Sequence, residues 1–396
     1  MTGAYSEKLQ EGDRALQFQS KGGSAMYAKA AKFFTVVILS VGFLSLFLPH
    51  PFAQACTGIM LRNSDGTFVN GRTLEFGIVV DTMIAIVPRG YEFVGKAPGG
   101  SGMKYKSKYA AVGAITFNDV AISDGINEKG LALGAFYFPT FAKYAEITND
   151  NRSKALSPVD FPNWILTQFA TVGEVRSAIE AGEGVIAPTV LDGWGPEAPP
   201  FHYVVYDNTG ASIVIEPVDG KLKVHDNRLG VLTNSPAFDW HITNLRNYIA
   251  LNPRNVPPVE IDGLKLQPLG QGGGMLGLPG DFSPPSRFVR ASVFSAAALP
   301  SPNADRGILQ VFHILNNFDI PLGVARAVEK GVIHSDYTQF TVARDPQSLR
   351  YYYKTYDDQT IRMIDLRKFD LNAKEVKKLN TMGSKQTIVD MSADAK

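Results

Sequence analysis

Apolar and polar positions fall into three patterns along this chain. The first is a single uncharged apolar run, FFTVVILSVGFLSLFL at 33–48. The second is a series of short apolar stretches separated by turn residues. Thr57–Leu61 and Thr67–Asn70 flank Asn63-Ser64-Asp65-Gly66, and Asp-Gly between two strand-like runs predicts a hairpin. His202–Tyr206 and Ser212–Glu216 flank Asp207-Asn208-Thr209-Gly210 in the same way. Phe340–Ala343, Leu349–Tyr353 and Thr360–Ile364 predict a strand-rich end, with Asp357-Asp358 in a turn. The third pattern is helical. Thr171 and Glu174 form a capping box ahead of Val175 and Ile179. Ile242, Leu245 and Ile249 make a stripe after Asp239, and Phe288–Leu299 and Ile308–Leu315 have helical spacing. Helices come in pairs between groups of hairpins, which predicts antiparallel sheets covered by helices, not a doubly wound parallel sheet. Gly272, Gly274 and Gly277 formally fit G-x-G-x-x-G. No clear strand precedes them and prolines follow, so this stretch is expected to be a long loop.

The run at 33–48 follows Lys29 and Lys32 and is succeeded by Pro49, Pro51 and Ala53-Gln54-Ala55. A basic start, an apolar middle and an A-x-A site describe a secretory signal peptide. The run is shorter than the ~20 residues of a membrane span. Cleavage is expected after Ala55, which makes residues 1–55 a removed extension and 56–396 one domain, periplasmic or secreted, without a membrane span after processing. Residues 1–25 are polar, and Met26 begins a more ordinary n-region than Met1 does. A Cys directly behind a signal peptide also invites lipidation. The lipoprotein box prefers a large aliphatic residue three positions before the Cys, where Ala53 stands.

Composition narrows the chemistry. The chain has 396 residues, 45% hydrophobic, and a formal charge of +1, an ordinary globular balance with no nucleic-acid footprint. It contains one cysteine, Cys56, which excludes an intramolecular disulfide and a multi-thiolate metal site. His50, His202, His225, His241, His313 and His334 show no metal-motif spacing, and no metal or organic cofactor is implied. A lone Cys is ordinarily a small buried hydrophobe. Cleavage after Ala55 gives this one a free α-amine with a pKa near ~7.7–8.0. A thiol nucleophile with its own amine as general base needs no distant histidine. No G-x-S-x-G elbow competes with it.

The stretch CTGIMLRNSDGTFVNGRTLEFG at 56–77 resembles the start of the choloylglycine hydrolase family, N-terminal-nucleophile hydrolases that include bile salt hydrolases and penicillin V acylases. The resemblance continues through Asp124–Leu131, GVLTNSPAFDWH at 230–241, LGLPGDFSPPSRFVR at 276–290, FHILNN at 312–317 and YTQFTVARD at 337–345. It implies an α+β fold, a four-layer αββα sandwich of antiparallel sheets. It also implies Cys56 as nucleophile, Arg72 beside the thiol, and Glu75 as the carboxylate that orients the α-amine. Asn234 corresponds to a side-chain donor of the oxyanion hole and Arg287 to a second active-site arginine, while Arg246 and Arg290 read as surface charges on helices. Two positions depart from the bile salt hydrolases: Glu75 stands where they usually have Asp, and Tyr137 where many have Asn. Penicillin V acylases carry Tyr there, and a backbone N–H near Tyr137 is then expected in the oxyanion hole.

The expected reaction is hydrolysis of a linear amide through an acyl-Cys56 intermediate, with Phe76, Met83, Phe136, Phe138 and Phe141 as candidate walls of an apolar acyl pocket. Conjugated bile salts are the leading substrate class. Penicillin V or N-acyl homoserine lactones, cleaved by the same mechanism, are the alternative. A lipid-anchored, non-catalytic binding protein is the alternative from another class. The resemblance also implies a homo-oligomer, a tetramer.

Overall fold

The computed structural model describes residues 54–80, 82–116, 120–192, 194–329, 331–381 and 384–392. The apolar run at 33–48 and residue 53 of the A-x-A site lie outside them. Strands β1 (Gln54–Arg62), β2 (Phe68–Phe76) and β3 (Met83–Val87) come first, then the hairpin β4 (Glu92–Ala97) and β5 (Gly100–Lys106). Strands β6 (Ala111–Ile115), β7 (Ile122–Asn127) and β8 (Ala132–Tyr137) follow. Two short strands, β9 (Ala155–Leu156) and β10 (Val185–Ile186), bracket helices α1 (Phe161–Gln168) and α2 (Val172–Glu180). Then come β11 (Phe201–Tyr206), β12 (Ser212–Val218), β13 (Lys221–Asp226), helix α3 (Phe238–Asn244) and the hairpin β14 (Val259–Ile261) and β15 (Leu264–Leu266). Helices α4 (Pro284–Ala297) and α5 (Ala304–Leu315) precede β16 (Ala325–Glu329), β17 (Val332–Asp345), β18 (Arg350–Thr355), β19 (Arg362–Asp365) and β20 (Lys377–Asn380).

Two antiparallel sheets carry the fold. One runs β1-β2-β17-β18-β19 with β16 on β17, and the other runs β13-β12-β11-β8-β7-β6-β3-β20. The inner strands of the second sheet, from β12 to β6, are buried on both faces, which explains why they read as apolar runs instead of clean alternations. Tyr203 and Val205 pack outward with Trp164, Ile165 and Val175 of α1 and α2. Val204 and Tyr206, one residue out of phase, pack inward with Ile59, Val69 and Val342 of the first sheet. Phe288, Ile308 and Val311 of α4 and α5 belong to that second cluster, so the layers run helices, sheet, sheet, helices. This is the expected αββα sandwich.

Local signals account for most elements. Asp65 and Gly66 turn the first hairpin, with Gly66 at φ 86° where a side chain would be strained. Thr171 caps α2 by accepting from Glu174 N at 3.2 Å. The expected stripe after Asp239 is not a buried helix face: α3 is short, and Ile242 and Ile249 are exposed. The glycine stretch at 272–274 is a loop closed against chain, since a Cβ on Gly274 would meet Arg254 O at 2.0 Å. Among the described residues, no helix is long and apolar enough to cross a membrane.

Candidate active site

Cys56 lies near the start of β1, the end strand of the first sheet. It stands opposite Leu74, and Gly58 stands opposite Arg72. Opposed antiparallel residues share a face and diagonal neighbours lie within reach of long side chains. Arg72 therefore reaches diagonally to Cys56, where its Nη2 donates to Sγ at 2.7 Å, while the Phe136 ring fills the space beside Gly58. Its other donors go to Ala135 O at 2.6 Å and Thr73 O at 3.1 Å. The guanidinium carbon sits 4.3 Å from the centroid of the Phe136 ring, a cation–π contact that holds the group in a dry setting.

Asn234 stands behind the Cys56 backbone. Its Oδ1 accepts from Cys56 N at 2.9 Å and from Arg287 Nη2 at 2.7 Å. Its Nδ2 donates to Tyr137 O at 2.9 Å. Two donors on one side and a carbonyl on the other leave a single orientation for the amide. One of the two Nδ2 hydrogens remains for a further acceptor. Arg287 is completely buried and also donates to Cys56 O, to Thr57 Oγ1 at 3.0 Å and to Phe282 O at 2.8 Å. Tyr137 presents its backbone N–H to the Cys56 sulfur.

Glu75 faces the other side of the sheet from the thiol, opposite Ala55 in β1 and Thr338 in β17. Thr338 Oγ1 donates to its Oε1 at 2.9 Å, and Oε2 is buried without a hydrogen-bond partner. Burial pushes the Glu75 carboxyl up to about 7, with Arg287 the strongest opposing influence. Burial also pushes the Cys56 thiol above its ordinary value, against the pull of Arg72. Glu75 adds to the rise, and Arg287 and the Tyr137 N–H oppose it.

Thus Cys56, Arg72, Glu75, Tyr137, Asn234 and Arg287 converge from β1, β2, β8, the loop before α3, and α4. Other expectations change. Arg246 is exposed, but Arg290 is buried and donates to Pro279 O at 2.8 Å and Asp281 O at 2.6 Å. It holds the loop that enters α4, a use of charge that helix periodicity does not reveal. A cavity opens beside the thiol, lined by Phe76, Tyr137, Val80, Trp194 and Phe201 among others. Of the five expected pocket residues, Phe76 alone lines it. Phe136 lies against Arg72, Phe138 stacks on His202 with centroids 4.3 Å apart, and Met83 packs into the outer core.

Several supporting residues escape a reading based on nucleophile motifs. His241 Nε2 donates to Asn234 O at 2.9 Å, and His202 Nε2 lies 3.0 Å from Thr233 O. Two buried histidines from different elements thus hold consecutive carbonyls of the segment that carries Asn234. Glu216 Oε1 ties them together, 3.3 Å from His202 Nδ1 and accepting from Phe238 N at 2.9 Å. His241 ends the TNSPAFDWH stretch, so its proximity was available in sequence; its role was not. Trp194 sits in a Gly- and Pro-rich loop with no local signal.

Residues 56–379 match the family described as linear amide C–N hydrolases, choloylglycine hydrolase family. The chain is 37% identical to the bile salt hydrolase/transferase of Clostridium perfringens over 325 residues, 81% of this chain and 95% of that protein. It is 26% identical to the penicillin V acylase of Pectobacterium atrosepticum, over 85% of this chain and 87% of the other. Among solved structures, a cysteine-to-alanine variant of the conjugated bile acid hydrolase of Clostridium perfringens superposes with a TM-score of 0.75 at 33% identity, covering 85% of this chain and all of that one. The penicillin V acylase of Agrobacterium tumefaciens gives 0.67 at 27% identity, over 84% and 94%. With the motifs, the layered fold and the buried Cys56 constellation in agreement with these matches, the chain belongs to the choloylglycine hydrolase family of linear amide C–N hydrolases.

Proposed function

We propose that this protein is an exported hydrolase of conjugated bile salts that works from Cys56 as its first mature residue. The observation that carries the mechanism is the Arg72 Nη2–Cys56 Sγ contact of 2.7 Å beside Asn234. Removal of the segment up to Ala55 turns Cys56 N into an α-amine. The apolar run at 33–48, the A-x-A site and a family match that begins at residue 56 support this processing. Two solved variants of the Clostridium perfringens conjugated bile acid hydrolase fit the same spacing. They carry a cysteine-to-alanine and an arginine-to-leucine change sixteen positions apart, the separation of Cys56 and Arg72 here.

The α-amine takes the thiol proton, and the thiolate attacks the substrate carbonyl. Tyr137 N–H and the remaining Asn234 Nδ2 hydrogen bind the developing oxyanion, a contribution worth ~3 kcal/mol per donor in comparable sites. The α-ammonium returns its proton to the leaving amine as the C–N bond breaks. Water, deprotonated by the same amine, then releases the acyl group as an acid and restores the thiol. Arg287 keeps Asn234 oriented, and Glu75 Oε2 accepts from the α-ammonium.

Bile salts are favoured because identity is 37% to a bile salt hydrolase/transferase and 26% to a penicillin V acylase. One observation favours the second reading, an acylase for aryloxyacyl amides such as penicillin V. Trp194 packs within 6.2 Å of Tyr137 and 5.7 Å of both Phe76 and Phe201, an aromatic wall suited to a flat ring. Release of glycine, taurine or phenoxyacetate by the purified mature protein decides between them. The same reading includes a homo-oligomer. The β14–β15 hairpin exposes Val259, Ile261, Leu264 and Leu266 together, apolar surface that a second copy of the chain would cover. A lipid on Cys56, seen as added mass at the mature N-terminus, would instead favour an anchored protein without catalysis.

A further inference from the structure

Strand β17 contains a bulge next to the site. Thr338 pairs with Glu75 and Phe340 with Leu74, so Gln339 has no partner on β2. A bulge adds one residue to a strand and re-aims its side chain. Gln339 keeps its main chain in the sheet, where its carbonyl accepts from Tyr356 N at 3.0 Å. Its side chain leaves the sheet and crosses to the segment after β2. Oε1 accepts from Val80 N at 2.8 Å, and Nε2 donates to Phe76 O at 3.0 Å and Ile78 O at 2.7 Å. The acceptor and both amide hydrogens are thus used on one five-residue stretch, by a side chain from a residue that is only 5% exposed. Phe76 is also held in β2 opposite Tyr337, and Thr82 Oγ1 donates to Val80 O at 3.2 Å, but the middle of the stretch is exposed, Ile78 at 44% and Val79 at 65%. Yet both of its ends, Phe76 and Val80, line the cavity beside Cys56.

We propose that Gln339 is a positioning residue for acyl selectivity, pinning the Phe76–Val80 segment as one wall of the acyl cavity. The inference rests on the reading of that cavity as the acyl site of a Cys56 amidase. A pinned wall presents Phe76 and Val80 at a set depth, so long acyl groups bind against it. Released, the wall no longer offers a formed surface, and long acyl groups bind more weakly. Short acyl groups, which do not reach it, are unaffected. Gln339 does not touch the thiol, so the chemical step itself is unchanged.

The test uses mature protein and a series of N-acylglycines from acetyl to palmitoyl. Gln339→Met keeps the length and removes all three hydrogen bonds. Gln339→Glu keeps the acceptor for Val80 N and loses the two donors. For Gln339→Met, KM for the long acyl chains is expected to rise about tenfold with kcat within about threefold, and kcat/KM for acetylglycine to stay level. The slope of kcat/KM against acyl length therefore flattens, and Gln339→Glu falls between. Trp194, 5.7 Å from Phe76 by ring centroids, supplies a readout independent of turnover: its emission shifts to the red in Gln339→Met as the wall loosens. If Gln339→Met is recovered unfolded, Gln339→Glu carries the same comparison. An active wild type whose variants keep its slope and its emission overturns the role of Gln339 alone. A wild type with a free N-terminal Cys56 that cleaves no member of the series overturns the reading of the cavity and this inference with it.

Discussion

The thiol of Cys56 sits between opposed influences, and the direction of each can be assigned. Burial raises its pKa and Arg72 lowers it, so formation of a thiolate at this position depends on the guanidinium. Cys56→Ala is expected to abolish hydrolysis with the melting transition preserved, because one buried Sγ is a small part of the core. Cys56→Ser is expected to lose at least about a hundredfold in kcat, since a hydroxyl is far less ionised than a thiol near pH 7. Full activity in Cys56→Ala would remove the thiol from the mechanism. Glu75 offers a pH test. Its folded-state pKa, about 7, lies above the ordinary 4.5. For an acid shifted upward, the unfolded chain loses its proton first, so stability is fullest below the ordinary pKa and falls as pH rises towards 7. In protein that retains Ala55, the shift corresponds to about 3 kcal/mol at most, lost across that window. Glu75→Gln is expected to flatten that fall in urea titrations from pH 4 to 8 and, in the mature protein, to lower kcat at least about tenfold. An unchanged pH–rate profile and unchanged kcat would make Glu75 a packing residue.

Elements, more than single residues, decide how well Asn234 is held. The segment before α3 makes one bridge to β1, Leu232 opposite Gly58, and then leaves the sheet. Its carbonyls are taken by His202 on β11 and His241 on α3. Burial lowers the His241 pKa to about 4, so near neutrality the ring is uncharged and its Nε2–H is the donor. His241→Phe keeps the stacking on Phe288, whose centroid lies 4.6 Å away, and removes the hydrogen bond. It is expected to cost about 1 kcal/mol of stability and to lower kcat about tenfold with little change in KM. His241→Gln, which can still donate, is expected to recover most of kcat. A second element contact is tighter. A Cβ on Gly71 would meet Val311 Cγ1 and Val342 O, both at 2.5 Å, so α5 packs on β2 only because position 71 is glycine. Gly71→Ala is expected to destabilise by about 1–3 kcal/mol, read in urea, by forcing α5 off the sheet. A neutral result would show that the layer spacing relaxes freely.

At the scale of the whole molecule the open question is selectivity. Apolar burial contributes ~25 cal/mol per Å², so an extended pocket outweighs one substituted residue. Conjugated bile salts are therefore expected to show higher kcat/KM than penicillin V, and Tyr137→Asn to move the ratio further towards bile salts. Measurements with glycocholate, taurocholate and penicillin V on wild type and variant check this, and a wild-type preference for penicillin V reverses the substrate assignment. Assembly is tested separately. Ile261→Asp combined with Leu264→Asp places charge on the exposed β14–β15 hairpin and is expected to lower the mass seen by light scattering, leaving turnover per chain within about threefold. An unchanged mass would move the contact elsewhere.

What the sequence alone determined is local and covalent. Turn chemistry placed the hairpins, because Asp-Gly and Asn-Thr-Gly dictate backbone dihedrals within a few residues. Apolar periodicity found α4 and α5, and a capping box found α2, while α1 went unread. The single cysteine behind an A-x-A site, with the motifs that follow it, singled out Cys56, Arg72, Glu75, Tyr137, Asn234 and Arg287, and the structure brings them together. What only the tertiary structure decided depends on contacts between residues far apart in the chain. The acyl cavity is walled by Trp194 and Phe201 with Phe76, because the pleat of β8 turns Phe136 into the sandwich and leaves Tyr137 at its rim. Arg290 looks like a surface charge on a helix, yet it is buried because the loop before α4 folds back over it. The stripe at Ile242 and Ile249 finds no layer to cover it. The bulge that aims Gln339 at the cavity wall arises from the register of β17 on β2. Register is a relation between two strands, and no stretch of one strand contains it.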